Sequence, residues 1–147
     1  MIRIRRSKGE VNKITSYVKV EKPVEERRKL AYDLYNNKDY NTLKTMINDS
    51  NKEVRRWVAK GLYENKDFDT LKTMINDSNE DVRFWVARSL YDSNDYNTLK
   101  TMIKDSDGDV RYWVAKGLYY NKDYDTLKTM INDSYEYVRY WAEAWNE

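Results

Sequence analysis

Apolar and polar residues follow one another along this chain with the period of a helix, and the pattern returns every 28 residues. Val54, Trp57, Val58, Gly61 and Leu62 fall at i, i+3, i+4, i+7 and i+8, which is one continuous helical face. Just upstream, Tyr40, Leu43, Met46 and Ile47 lie on roughly one side of a shorter helix. That first helix is predicted to start at Asp39, Asp67, Asp95 and Asp123, whose carboxylates accept from the free amides of a first turn. The second is predicted to start at Ser50, Ser78, Ser106 and Ser134. Ser50 with Glu53 reads as a capping box, and Asp81 and Asp109 replace the glutamate in the next two copies. The linkers are a few residues long, so successive helices are expected to pack antiparallel.

Four copies of the unit occupy residues 38–65, 66–93, 94–121 and 122–147. Residues 23–37 align with the second half of a unit: Arg27, Leu30, Ala31, Leu34 and Tyr35 fall on the repeat's Arg, Val, Ala, Leu and Tyr. Pro23 suits the start of that half repeat, where no amide donor is needed. Nine helices result. A short fixed period means stacked units, each burying its apolar face only against its neighbours, so the expected fold is an all-α solenoid over residues 23–147. Residues 1–22 match the unit poorly and read as a hairpin around Ser7–Glu10, a degenerate cap or a flexible arm.

The order Asp49-Ser50-x-x-x-Val54-Arg55-x-x-Val58-Ala59-x-x-Leu62 resembles the HEAT-like repeats, in particular the short PBS-lyase type. The resemblance runs from Pro23 to about Trp141 and implies a right-handed α-solenoid whose second helices line the concave face. It also implies a hydrogen-bonded ladder between repeats, made by Asp49/Arg55, Asp77/Arg83, Asp105/Arg111 and Asp133/Arg139. A Trp stands where the family usually has a small residue (Trp57, Trp85, Trp113, Trp141), with Gly61, Ser89 or Gly117 one turn later to accommodate the bulk; the fourth copy places Trp145 there instead. The family serves as scaffold in unrelated processes, so the fold alone does not name a function.

Composition narrows the chemistry. Mean hydropathy is −1.01 and 35% of residues are charged, yet the apolar positions keep strict register, which favours a thin elongated core over disorder. The chain has no Cys and no His. That removes disulfides, thiol nucleophiles, thiolate metal sites and the His/Glu iron sites of some HEAT-like enzymes. There is no phosphate-binding glycine loop, no nucleophile elbow and no dinucleotide fingerprint. Asp105, Asp107 and Asp109 imitate the start of a calcium loop, but Val110 stands at the required Gly and Lys116 at the closing Glu. The expectation is a non-enzyme without cofactor or metal. No apolar run is long enough to cross a membrane, and a soluble, cytoplasmic protein is the default.

The net charge of +2 conceals an asymmetry: residues 1–22 carry seven basic groups against two acidic ones, leaving the repeats slightly negative. Arg3, Arg5, Arg6 and Lys8 form a basic arm that suits nucleic acid, an anionic surface or an acidic protein groove, or serves as a solubilising tail. The Arg row (Arg27, Arg55, Arg83, Arg111, Arg139) reads as internal wiring, since each Arg keeps a fixed spacing to an Asp; the Trp row reads as core. More informative are the positions at which the copies differ. Opposite the apolar stripe stand Arg28, Arg56, Phe84, Tyr112 and Tyr140, and one turn on Tyr32, Lys60, Arg88 and Lys116. From this strip Arg56, Lys60, Phe84, Arg88, Tyr112, Lys116 and Tyr140 are the candidate partner contacts. Aromatics among cations suit a protein partner and, as the alternative, nucleic acid. The C-terminal end is aromatic as well (Tyr135, Tyr137, Tyr140, Trp141, Trp145), which reads as a makeshift cap or a homo-association surface.

Overall fold

A computed structural model describes residues 21–146. Among these, a lone first helix α1 (Val24–Asn36) is followed by four short–long pairs: α2 (Tyr40–Lys44) with α3 (Lys52–Glu64), α4 (Phe68–Lys72) with α5 (Glu80–Asp92), α6 (Tyr96–Lys100) with α7 (Gly108–Tyr120), and α8 (Tyr124–Leu127) with α9 (Glu136–Glu143). All described secondary structure is helical, and the nine helices fall where the period places them. Each long helix packs on its long neighbours; α3, α5 and α7 also pack on the short helix of their own unit, and α9 packs on the 3-10 turn Lys128–Met130 that follows α8, so contacts run between neighbours along the stack.

The short helices start as the sequence predicts. Asp39, Asp67, Asp95 and Asp123 cap them by accepting from the amides of Thr42, Thr70, Thr98 and Thr126. The long helices do not. Their caps are Asn51, Asn79 and Asp107, one residue after the expected Ser, with side chains accepting from the amides of Val54, Val82 and Val110. The carboxylates of Asp49, Asp77 and Asp105 accept from the amides of those same cap residues at 2.8–2.9 Å, which frees Ser50, Ser78 and Ser106 for a different use.

Units join through a left-handed residue. Lys38, Lys66, Asn94 and Lys122 have φ of 57–59° just past the end of a long helix. There the amide of Lys66 donates to the Tyr63 carbonyl and that of Asp67 to the Leu62 carbonyl, closing the helix with an αL cap. Asp67 thus ends one closing motif and caps the next helix, so no slack separates successive units.

The core is a continuous row. Leu43, Leu71, Leu99 and Leu127 from the short helices meet Val54, Val58, Val82, Val86, Val110, Val114 and Val138 from the long ones, all essentially inaccessible. Full burial of each Leu contributes about 1.5–3 kcal/mol. The small residue on the long helix serves this row rather than the Trp. A Cβ on Gly61 would lie 2.7 Å from Leu43 Cδ2 and 3.1 Å from Tyr40 Cδ1, and one on Gly117 would lie 2.6 Å from Leu99 Cδ2. In α5 the same place holds Ser89, fully buried with its hydroxyl donating to the Val86 carbonyl at 2.7 Å, so the position takes a small residue in each of the first three units. Where the fourth copy has Trp145, α9 stops at Glu143 and the chain passes into a 3-10 turn over Ala144–Asn146.

One edge of the long helices carries the ladder. Arg27, Arg55, Arg83 and Arg111 each grip the carboxylate of the following unit (Asp49, Asp77, Asp105, Asp133) through Nε at 2.7–2.9 Å, with Nη2 on the second oxygen. The same Nη2 reaches the hydroxyl of Ser50, Ser78, Ser106 or Ser134, which is what the serines do instead of capping. The Asp six residues upstream of each Arg therefore supplies only its backbone carbonyl, as with Arg55 Nη1 on Asp49 O at 2.8 Å. Six residues bring Arg55 back over the turn that starts its own helix, whereas the next unit's carboxylate lies directly across the joint.

Candidate functional site

The opposite edge of the long helices carries the variable strip, and its side chains form a regular aromatic arrangement. Tyr35, Tyr63, Tyr91 and Tyr119, near the end of one long helix, pack tilted against Trp57, Trp85, Trp113 and Trp141 of the next at centroid distances of 5.0–5.2 Å and interplanar angles of 38–51°. The Trp row is half-buried against the core and ties one unit to the next. These tyrosines were no part of the strip expected from the sequence.

Cations cover the pairs. Lys60 Nζ lies 4.7 Å from the Tyr35 ring and 5.5 Å from Trp57. Arg88 Cζ lies 4.8 Å from Tyr63 and 5.6 Å from both Trp85 and Trp113. Lys116 Nζ lies 4.8 Å from Tyr91 and 5.0 Å from Trp113. Such contacts contribute about 0.5–1 kcal/mol each at exposed sites. Lys60, Arg88 and Lys116 make no ion pair with a carboxylate among the described residues, whereas every arginine of the ladder from Arg27 to Arg111 does. Arg88 Nε is buried there without a hydrogen-bond partner.

The row one turn nearer the helix starts changes character along the stack. Arg28 pairs with Glu53 and Arg56 with Asp81, the latter at 3.7 Å. At the following joints Phe84 packs edge-on to Trp85 at 5.3 Å and near Trp113 at 6.2 Å, and Tyr112 packs edge-on to Trp113 at 5.3 Å. Tyr140 stands 66% exposed. Of the seven candidate contacts, Arg56, Lys60 and Phe84 share a hollow of about 240 Å³ with Trp57, Asp81 and Trp85. Arg88, Tyr112 and Lys116 gather around Trp113 one joint on, and Tyr140 lies against Trp141 at the last. A larger hollow of about 570 Å³ lies on the ladder side, lined by Asp49, Arg55, Asp77 and Ser78, but its charged groups are already bonded to one another.

A second row of ion pairs was not legible from the sequence: Lys44, Lys72 and Lys100 reach the capping Asp67, Asp95 and Asp123 of the next unit at 2.5–2.6 Å. Those pairs hold the three carboxyls below the ordinary Asp range. Burial pushes the ladder's Asp77 and Asp105 up, but the guanidiniums of Arg55 and Arg83 and the amides of Asn79 and Asp107 leave both below it. Burial and a hydrogen bond to Glu64 push the Tyr35 phenol up to about 12.

At the C-terminal end the aromatic residues divide. Tyr135 packs on Gly108 and donates to Asp109 at 2.7 Å, Trp141 packs under Tyr119, and Trp145 carries Lys128 Nζ at 4.2 Å; Tyr137 and Tyr140 stay exposed. The basic arm of Arg3, Arg5, Arg6 and Lys8 lies outside the described residues. Among those described, no cluster of three or more acidic residues is arranged to hold a metal ion, and no helix is long and apolar enough to cross a membrane.

The unit, the paired helices and the rung between units meet in one comparison: the family model of HEAT repeats matches residues 40–118, more than half of the chain. The chain belongs to the HEAT repeat family. Among solved structures, this HEAT protein is similar to the Escherichia coli protein YibA, whose crystal structure shares 26% identity at a TM-score of 0.57 over 75% of this chain and 45% of that one. It is also similar to the crystal structure of an engineered protein, with 13% identity and a TM-score of 0.52 over 79% of this chain and 64% of that one. The second likeness shows the fold alone. The HEAT chain spans less than two thirds of the length of either structure. No curated protein matches it.

Proposed function

We propose that this HEAT array is a non-catalytic, cytoplasmic scaffold that holds another protein on the long-helix edge carrying Arg56, Lys60, Phe84, Arg88, Tyr112, Lys116 and Tyr140. One observation carries the reading. Lys60, Arg88 and Lys116 on this edge rest on rings and keep their charge unpaired among the described residues, while the ladder on the other edge is bonded across every joint from Arg27 to Asp133. Aromatic and cationic side chains presented together on a rigid face are the groups that dominate protein interfaces. The nucleic-acid alternative rests mainly on the basic arm, and Glu80, Asp81, Asp107 and Asp109 beside the strip oppose a polyphosphate.

The test is affinity capture from lysate with the full chain and with an Arg88→Ala, Lys116→Ala, Tyr140→Ala variant of matched melting temperature, with and without nuclease. A protein that survives nuclease, is retained by the parent and is lost by the variant supports the reading. Retention by both chains, or loss on nuclease treatment, refutes it.

A further inference from the structure

The strip has a repeat distance, and that distance selects a kind of ligand. Lys60, Arg88 and Lys116 occupy the same position in successive units, one per long helix. Arg88 and Lys116 both lie over the Trp113 ring, at 5.6 and 5.0 Å, so their separation cannot exceed the sum of those two distances. Neighbouring packed helices are about 8–10 Å apart, which sets the same step for the row. A polypeptide in the polyproline II conformation advances about 9 Å in each three-residue turn and returns every third side chain to the same side. A peptide of that form laid across the long helices meets one cation per turn.

The charges beside the row specify the ligand further. Glu80, Asp81, Asp107 and Asp109 line a hollow with Phe84 immediately next to it, so a stripe of negative potential flanks the positive one. A strand with an anion at every residue would run its charge along both stripes. A peptide with isolated carboxylates and neutral residues between them meets the cations alone. The Tyr–Trp pairs that seat the cations are only half-buried, and the ring surface left around each cation gives the neutral residues apolar contact.

We infer that this edge binds an extended acidic peptide with Asp or Glu at i, i+3 and i+6, one carboxylate each for Lys60, Arg88 and Lys116. Arg88 is the central anchor, since it stands between Lys60 and Lys116 in the row and three rings hold its planar guanidinium, whose fork matches a carboxylate. This rests on the scaffold reading above and adds the ligand's conformation and spacing.

The experiment is fluorescence anisotropy with the full chain and three labelled probes. One peptide has Glu at every third position among Pro and Ala, its isomer of equal composition has Glu at every second position, and the third probe is a single-stranded oligonucleotide. The first peptide is expected to bind about tenfold more tightly than its isomer, the sum of three modest exposed pairs. A Lys60→Glu, Arg88→Glu, Lys116→Glu variant is expected to lose that binding. A Lys60→Gln, Arg88→Gln, Lys116→Gln variant, which brings no new repulsion to the fold, is expected to show the same loss. Equal affinity for both peptides, lost in the variants, overturns the spacing and leaves the groove standing. Peptide binding that the variants keep overturns the groove itself. Tighter binding of the oligonucleotide than of either peptide, or no binding of either peptide while the lysate capture succeeds, overturns the peptide class.

Discussion

The two edges of the long helices follow the same period and solve opposite problems. On the ladder edge the residues are identical in each unit, and every guanidinium from Arg27 to Arg111 is locked onto the next unit's carboxylate with side chains only 9–13% exposed. On the strip edge the row Arg28, Arg56, Phe84, Tyr112 and Tyr140 passes from ion pairs to rings, and the cations beside it stay free of carboxylates among the described residues. Both edges bridge units, but only the first depends on a partner of fixed chemistry. Repetition therefore marks where the joint is held, and variation marks where the joint can tolerate an outside group.

The largest effect that separates the edges is a broken rung. Asp77→Ala leaves the Arg55 fork without its carboxylate in a partly buried setting and is expected to cost about 3 kcal/mol in denaturant unfolding. Arg88→Ala on the strip removes three ring contacts and is expected to cost about 1–2 kcal/mol, less than the broken rung. Acid separates the edges the same way. Asp77, Asp105 and Asp133 titrate below their ordinary value of 3.8 in the folded state, so their contribution is complete above that pH. It is lost as pH falls through the lowered values. A thermal melt that held constant from pH 6 to about pH 2 would contradict the ladder's role.

A smaller effect belongs to the face between the edges. Gly61→Ala places a methyl 2.7 Å from Leu43 Cδ2, the movable end of that side chain, and Ser89 already fills the same place in α5. Repacking offsets the gain in helix propensity, so the expected change is within about 1 kcal/mol, with both edges unmoved. The smallest is a gain. Lys66→Gly relieves a side chain held at φ 57° and is expected to stabilise the array by about 0.5 kcal/mol, with strip and ladder unchanged. Loss of stability there would mean that Lys66 contributes a contact beyond the turn.

Periodicity made the helices legible down to their number, because Val54, Val58 and Leu62 recur at a spacing only a helix satisfies. The ladder was legible as a pairing of Asp with Arg but not in its partners: a spacing of six within one unit says nothing about which unit's carboxylate the guanidinium meets. The capping residue was misread because Asp49, Ser50 and Asn51 are all able caps. The signal that distinguishes them is the acidic or amide residue in the third of those places, Asn51, Asn79 and Asp107, which is absent at the two ends of the stack, Pro23 and Tyr135. At the candidate site the strip's cations were visible as a row. Their seats were not, since Tyr35, Tyr63 and Tyr91 belong to the shared pattern and their packing on the next unit's Trp crosses a joint that the sequence of one unit does not contain.

The turn at Lys38, Lys66, Asn94 and Lys122 makes the array's length a countable quantity. Because the closing cap of one unit and the opening cap of the next share an aspartate, a unit can be removed or copied whole and the cut ends meet the same neighbours as before. Insertion of a single residue at that turn would misalign the rung, the Leu row and the Tyr–Trp pair at once. Change in such a chain comes in steps of 28 residues, each one adding a rung to one edge and a new, independently variable seat to the other.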